Sequence, residues 1–147
     1  GAYQNILHSD SLIIEKRESY KEVKMAGLWL KDNTPENAKI ITASIVQNQY
    51  YSERQSYDYY YENSVLEENN CIDLYGGTSN NETCQKISEN LFEKKVSKIE
   101  PDYYLVSIFE PVFTPQWAYS YGERNNLTLV NGYTDANNNP ILLIYKY

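Results

Sequence analysis

The alternation of amphipathic stretches with short apolar runs constrains most strongly what this chain can fold into. Residues 40–46 and 103–109 are apolar and rich in β-branched or aromatic side chains, as is typical of buried strands. Residues 16–32 and 83–99 instead repeat their apolar side chains at helical spacing. Strands that alternate with helices predict an α/β fold with a mostly parallel sheet and helices on both faces.

The C-terminal part of the chain predicts a hairpin. Residues 127–133 and 141–147 have strand character, and the polar segment 135–140 joins them, so we expect an antiparallel hairpin at one edge of the sheet. Upstream, residues 48–62 fit either a helix opened by Asn48 or, in their aromatic part, a strand or exposed ledge. Residues 63–83 are predicted to be mostly loop, and a short helix is expected to be capped by Thr114 and opened by Pro115.

No repeat and no flexible linker divides the chain. Residues 3–147 are therefore predicted to form a single domain, with Gly1 and Ala2 set aside as a candidate cloning remnant.

Composition excludes several functions. The chain has 13 Lys and Arg against 20 Asp and Glu, a net charge of -7, and no basic cluster. This balance argues against a nucleic-acid partner, which needs a basic face. The single histidine, His8, lies in a segment without a strong pattern, and no set of side chains has the spacing of a zinc site or a catalytic triad. We therefore assign no catalytic residue, no metal ligand and no cofactor. The carboxylates of Asp102 and Glu110 flank a strand without a useful pairing.

The two cysteines indicate an oxidising compartment. Cys71 and Cys84 enclose a polar, turn-rich span, and a disulfide between them would stabilise the fold by about 3 kcal/mol. Two free buried thiols are the alternative. Asn81 and Asn126 begin Asn-x-Thr sequons and are candidate glycosylation sites, which also favours an exterior location.

Tyrosines and one arginine are the candidate ligand-binding residues. The chain has 16 Tyr and 16 Asn, which suits a carbohydrate-rich exterior, although AT-rich codon usage explains the excess equally well. Tyr57, Tyr59, Tyr60 and Tyr61 could form a stacking platform for sugars, with ordinary packing as the alternative. Trp117 and Tyr119 could line the end of the sheet or simply pack on the core.

Arg54 follows Tyr50 and Tyr51 in a segment that could face a ligand. Its guanidinium could bind a lipid phosphate or a glycan carboxylate, for which its planar fork is suited. Alternatively, Arg54 pairs with Glu53 or Asp58 on a solvated face.

Three stretches carry a resemblance to a known family. Residues 29–38 contain Trp29-Leu30, Asn33-Thr34-Pro35 and Ala38, and this helix and turn resemble the segment after the last membrane helices in archaeal and bacterial glycosyltransferases of the C-type superfamily. Residues 50–54 are similar to a Tyr-x-x-Arg pattern of the mannosyltransferase-like branch, and 101–103 (Pro-Asp-Tyr) is similar to a strand entry there. The oligosaccharyltransferase branch continues the turn with Trp-Trp-Asp-Tyr-Gly, whereas residues 44–48 here are Ser-Ile-Val-Gln-Asn.

The resemblance implies a function at the outer face of a cell membrane. The chain would be the soluble extracytoplasmic domain of a polytopic glycosyltransferase that uses a lipid-phosphate-linked sugar donor. It would position the acceptor or carrier without being catalytic alone, because the superfamily's catalytic acids lie on loops between membrane helices. Its partners would be the membrane-embedded part of the same polypeptide and a glycan or lipid-linked sugar. The alternative is a free-standing extracellular module that binds carbohydrate or mediates cell-surface interactions; an independent hydrolase has less support.

Overall fold

A computed structural model describes residues 20–147 of the protein. His8, Gly1, Ala2 and the first residues of the predicted helix 16–32 lie outside the described residues. The helices are α1 (Tyr20–Asn33), α2 (Ile45–Ser52), α3 (Asn63–Glu68), α4 (Glu82–Ile99) and α5 (Ala118–Arg124), with a 3-10 turn at Pro111–Phe113. The strands are β1 (Lys39–Ile41), β2 (Gln55–Tyr57), β3 (Tyr103–Ser107), β4 (Thr128–Thr134) and β5 (Pro140–Lys146).

The five strands form one sheet in the order β2-β1-β3-β5-β4. Strand β1 is parallel to β2 and β3, whereas β5 is antiparallel to both β3 and β4. The α/β class is thus confirmed, and so is the hairpin with β4 at the edge. The prediction of a mostly parallel sheet is wrong, because the sheet is mixed.

The composition of the hairpin strands explains the mixed sheet. A short connection between two strands requires antiparallel pairing, so β4 and β5 must run in opposite directions. Strand β5 buries Ile141, Leu142, Ile144 and Tyr145, whereas every residue of β4 is exposed or half-buried. The more apolar strand therefore takes the inner position beside β3, and its direction makes that pair antiparallel as well.

The core is centred on β3. All five of its residues are buried, which means that both faces of the sheet are covered there, because successive side chains point to opposite faces. Tyr104 of β3 stacks on Tyr121 of α5 at 4.7 Å between ring centroids and meets Phe92 of α4 edge-on. Aromatic rings from helices and strand thus form one buried cluster on this face.

The first strand is shorter than its sequence suggests. We expect strand structure over 40–46, but β1 ends at Ile41 and α2 begins at Ile45. The hydroxyl of Thr42 accepts the N–H of Ser44 at 3.1 Å, and this local bond turns the chain out of the sheet. Asn48, the expected start of a helix, lies inside α2 and is buried.

Helix α1 packs unusually close to α2 at Gly27. A Cβ atom at this position would lie 2.6 Å from Cβ of Tyr51 and 3.3 Å from the backbone N of Ser52. The absence of a side chain is therefore what allows the two helices to touch backbone to backbone.

The segment 63–83 is more ordered than a loop. It contains α3 and is tied to α4 by a disulfide between Cys71 and Cys84, whose Cα atoms are 5.3 Å apart. The disulfide prediction is confirmed, and neither cysteine is free. Leu66 and Leu91 pack around it in a small second core.

Two expected helix starts are displaced. Helix α4 is capped by Asn81, two residues before the predicted cap Thr83, and Oδ1 of Asn81 accepts the N–H of Cys84 at 2.8 Å. Helix α5 begins at Ala118 instead of Pro115, and Thr114 donates its hydroxyl to the carbonyl of Glu110.

No helix within residues 20–147 has the length and apolar character needed to cross a membrane.

Candidate functional site

A cavity of about 320 Å³ opens at one end of the sheet, where β1 and β3 begin and β5 ends. It is lined by Pro35, Asn37, Ala38, Pro101, Asp102, Tyr103, Lys146 and Tyr147. These residues come from three separate parts of the sequence: the turn after α1, the entry to β3, and the last residues of the chain.

Asp102 joins the three parts by hydrogen bonds. Its backbone N–H donates to the carbonyl of Lys39 at 2.9 Å, and its carboxylate Oδ2 accepts the N–H of Lys39 at 2.9 Å. Its carbonyl accepts the N–H of Tyr147 at 3.0 Å. Two of these bonds hold the backbone of Asp102 and one holds its carboxylate, whose Oδ1 has no hydrogen-bond partner among the described residues.

The walls of the cavity are rigid for local reasons. The N–H of Ala38 donates to the carbonyl of Pro35 at 3.0 Å, which closes the turn between α1 and β1. On the other side, the ammonium group of Lys39 donates to the carbonyl of Ile99 at 2.7 Å and so anchors the end of α4 next to Pro101. Both prolines also fix their own φ angle.

The lining combines polar and apolar groups with no excess of charge. Asp102 supplies one negative charge, and Lys146, on the strand paired with β3, supplies one positive charge. Asn37 is exposed and adds an amide that can both donate and accept. The remaining lining residues are prolines, Ala38, Tyr103 and Tyr147. The ring of Tyr147 also packs against Tyr104 and Tyr121, and its hydroxyl donates to that of Tyr121 at 3.3 Å. This arrangement suits a small neutral ligand with several hydroxyl groups.

Arg54 does not line this cavity; it caps helix α1. Its Nε donates to Oγ1 of Thr34 at 3.0 Å, and Nη2 donates to the carbonyls of Thr34 at 2.7 Å and Lys31 at 3.0 Å. Nη1 donates to the carbonyls of Ser52 at 3.1 Å and Glu53 at 3.4 Å. The side chain is buried, and these five bonds use all five of its N–H donors.

These bonds bring two of the family-like stretches into contact. Residues 29–38 end α1, and Arg54, from the stretch 50–54, binds that end directly. Arg54 pairs with neither of the carboxylates considered from the sequence: Glu53 pairs with Lys31, and Asp58 pairs with Lys95 at 2.8 Å. A ligand-binding role for Arg54 stays a prediction, and it would require breaking bonds that hold the fold.

Three of the predicted aromatic residues belong to the core. Tyr59, Trp117 and Tyr119 are buried. Tyr59 donates its hydroxyl to the carbonyl of Leu105, and Trp117 donates its indole N–H to Ser88 at 2.9 Å. Burial raises the pKa of Tyr119 to about 12. These side chains already have packing and hydrogen-bond partners, as in the ordinary-packing alternative.

The remaining predicted aromatic residues lie in two separate places, Tyr57 and Tyr60 beside Lys95 and Tyr50 and Tyr51 at the end of α2. Tyr57 packs with its ring 5.9 Å from the ammonium of Lys95, and the hydroxyl of Tyr60 accepts that of Thr78 at 3.2 Å. Tyr50 is exposed and Tyr51 half-buried, and their rings meet edge-on at 5.0 Å. The predicted ligand residues therefore meet in pairs, such as Tyr59 with Trp117 and Tyr50 with Tyr51, but they do not form one common site, and none of them lines the cavity.

The sequence contained only a partial signal for the cavity. Residues 101–103 are part of the family resemblance, and Asp102 was noted as a carboxylate beside a strand, but Asn37 and Lys146 carry no recognisable motif. Their contribution depends on the meeting of distant segments.

The two sequons lie on the surface. Asn81 and Asn126 are both exposed, and Asn81 uses its oxygen, not its nitrogen, to cap α4. Asn126 has a positive φ of 55° after α5. Both asparagines are therefore surface residues.

The described residues hold no cluster of three or more His, Cys, Asp or Glu side chains that could bind a metal ion.

Asp135 closes the β4–β5 hairpin, since its Oδ1 accepts the N–H groups of Asn137 at 2.8 Å and Asn139 at 3.0 Å.

No family model, curated protein or solved structure matches the chain. Membership of the glycosyltransferase superfamily is therefore a proposal, which depends on the residues described above.

Proposed function

We propose that this chain is an extracytoplasmic domain of a polytopic membrane glycosyltransferase, of the mannosyltransferase-like branch, that uses a lipid-phosphate-linked sugar donor. One observation supports the proposal: the three stretches that resemble the family, residues 29–38, 50–54 and 101–103, lie next to one another in the fold. Residues 29–38 supply one wall of the cavity, residues 101–103 supply the opposite wall, and Arg54 fastens the first of these walls to α2.

Two further features support an exterior location. The disulfide between Cys71 and Cys84 needs an oxidising compartment to form, and both sequons are accessible. An archaeal source and attachment to the outer face of the membrane are part of the same proposal.

The domain would contribute binding and orientation. Its residues hold the acceptor or its carrier close to the membrane-embedded reaction centre, which raises the effective concentration of the reacting group. The cavity carries one carboxylate, Asp102, and a single carboxylate does not supply the acid and base pair of a glycosidase. The sugar transfer itself is assigned to the membrane part.

The gene and the whole gene product test this function. The coding sequence upstream of Gly1 should encode a series of apolar segments long enough to span a bilayer. Membranes that contain the full gene product should transfer a sugar from a polyprenyl-phosphate donor, and a start codon or a cleavable signal directly before Tyr3 would exclude the proposal.

The second candidate is a free-standing extracellular carbohydrate-binding module. The balanced, partly aromatic lining of the cavity favours it, because such a lining can bind sugar without any membrane partner. The same upstream sequence distinguishes the two candidates, since a secretory signal is expected for this one.

A further inference from the structure

We propose that the cavity between the α1–β1 turn and the end of β5 binds a neutral pyranose ring. The inference rests on the proposed function for the origin of that sugar, as part of the acceptor or carrier glycan, and it names the residues that contact it. Asp102, Asn37 and Lys146 are the polar contacts, and Tyr103 and Tyr147 are the aromatic ones.

The polar groups match adjacent hydroxyls on a sugar. Oδ1 of Asp102 is an acceptor without a hydrogen-bond partner among residues 20–147. The ammonium group of Lys146 is a donor, and it takes part in none of the salt bridges between the described residues. Asn37 can donate to one hydroxyl and accept from the next. Neighbouring hydroxyls of a pyranose each need one donor and one acceptor, so this set can satisfy two of them.

The cavity is built to receive a ligand without rearrangement. Two backbone hydrogen bonds hold Asp102 to Lys39 and Tyr147, and a third, from the N–H of Lys39 to Oδ2, restrains the carboxylate before binding. A fixed acceptor avoids the entropic cost of ordering a side chain on binding. The volume of about 320 Å³ lies at the lower end of the range for small-molecule sites, which suits one ring better than a long chain.

Charge argues for a neutral ligand over a phosphate. The cavity lining contains one lysine, Lys146, and one carboxylate, that of Asp102. The whole chain carries a net charge of -7. A phosphate group would approach both that carboxylate and an overall negative field, whereas the hydroxyls of a sugar are indifferent to the field.

The test is a titration of the full oxidised chain followed by amide NMR. The probes are methyl α-D-mannopyranoside, methyl β-D-glucopyranoside and methyl β-D-galactopyranoside, with sodium phosphate as the anionic probe. At least one glycoside should cause saturable shifts of the amide signals of Asp102, Tyr103, Lys146 and Tyr147, with a Kd on the order of millimolar.

Asp102→Asn is the deciding variant. Asparagine keeps an oxygen for the N–H of Lys39 but replaces the free oxygen with a donor, so affinity should fall about tenfold while the melting temperature changes little. Asp73→Asn is the matched control, since Asp73 is an exposed carboxylate that accepts the N–H groups of Tyr75 and Gly77 away from the cavity. It should leave glycoside affinity unchanged.

Three results would overturn the inference: no saturable shift with any glycoside, shifts at the cavity only with phosphate, or glycoside shifts confined to residues 57–61. The proposed function fails separately. A chain with a secretory signal that still binds a glycoside defeats the membrane-enzyme proposal alone, whereas upstream membrane segments with no glycoside binding defeat this inference alone.

Discussion

At the residue scale, Arg54 shows how a motif position can be explained by structure. The sequence marks Arg54 as a charged residue after two tyrosines, but its partners are the carbonyls of Lys31 and Thr34 in another element. Carbonyl groups are present at every residue, so no side-chain pattern could have identified them. Helix capping thus accounts for the arginine of the tyrosine-x-x-arginine pattern.

Replacing Arg54 with Lys should destabilise the protein. Lysine keeps the charge but cannot reproduce the planar fork, so we expect the free energy of unfolding to fall by about 3 kcal/mol. Urea denaturation followed by circular dichroism measures this loss. Arg124→Lys is the matched control, because Arg124 also forms a bidentate contact, with Glu89, but on the surface, and it should cost well under half as much. Equal stability of Arg54→Lys and the unmodified protein would show that the cap is unimportant.

At the element scale, periodicity located most helices and strands but misplaced several ends. Helix α4 and strands β4 and β5 occur within a residue or two of the predicted ranges. The strand expected over 40–46 stops at Ile41, because the hydroxyl of Thr42 offers the backbone a local bond that competes with the sheet. Short-range hydrogen bonds of this kind decide where an element ends, and hydrophobic patterns do not record them.

Replacing Gly27 with Ala should separate α1 from α2. Alanine favours a helix intrinsically, yet its Cβ would overlap Cβ of Tyr51 at 2.6 Å, so we expect a net loss of about 2 kcal/mol. Thermal unfolding measures it. Ser97→Ala, at an exposed position of α4, is the control and should be neutral or slightly stabilising. A stabilised Gly27→Ala variant would mean that the two helices can move apart at no cost.

The disulfide between Cys71 and Cys84 should stabilise the segment 63–83 and, through α4, the whole fold. Replacing both cysteines with serine should lower the free energy of unfolding by about 3 kcal/mol. Because the two residues are 1% and 3% exposed, dithiothreitol should reduce the bond only when the protein unfolds. Thiol counting with Ellman's reagent after the dithiothreitol has been removed tests this, and rapid reduction of the folded protein would contradict it.

At the scale of the whole molecule, tyrosine serves as a core residue. Tyr59, Tyr104 and Tyr121 pack with Phe92 and Trp117 between α4, α5 and the sheet. The hydroxyl of Tyr104 donates to the carbonyl of Ala118 at 2.7 Å, which satisfies a polar group that would otherwise be buried at a cost. The excess of tyrosine in the composition is therefore explained partly by packing.

Buried tyrosines should make the fold sensitive to alkali. Burial raises the pKa of Tyr119 and Tyr145 from 10.0 to about 12, because the tyrosinate anion is poorly solvated inside the protein. The unfolded chain releases these protons first, so the stability they contribute is complete below pH 10 and is lost as pH rises towards 12. Near-ultraviolet absorbance should show their ionisation together with loss of the folded circular dichroism signal.

Tyr119→Phe is the matched variant for this titration. The variant lacks one group whose ionisation opposes folding. The pH at which half of the protein is unfolded should therefore be higher than in the unmodified protein, after correction for any difference in stability at neutral pH. Ionisation of all tyrosines near pH 10 without unfolding would contradict the raised pKa values.

The α/β class, the hairpin and most helices could be predicted from the sequence, because each depends on local periodicity. The two cysteines allowed either a disulfide or two free thiols, and the 5.3 Å between their Cα atoms decides for the disulfide. Only the tertiary structure decided the strand order, the buried positions of Arg54, Tyr59 and Trp117, and the cavity around Asp102. Those features arise where segments distant in sequence meet, at Lys39, Asp102 and Tyr147 for example. These contacts depend on which apolar strand takes the inner position in the sheet. That position depends on the packing of all elements together, which no single stretch of the sequence specifies.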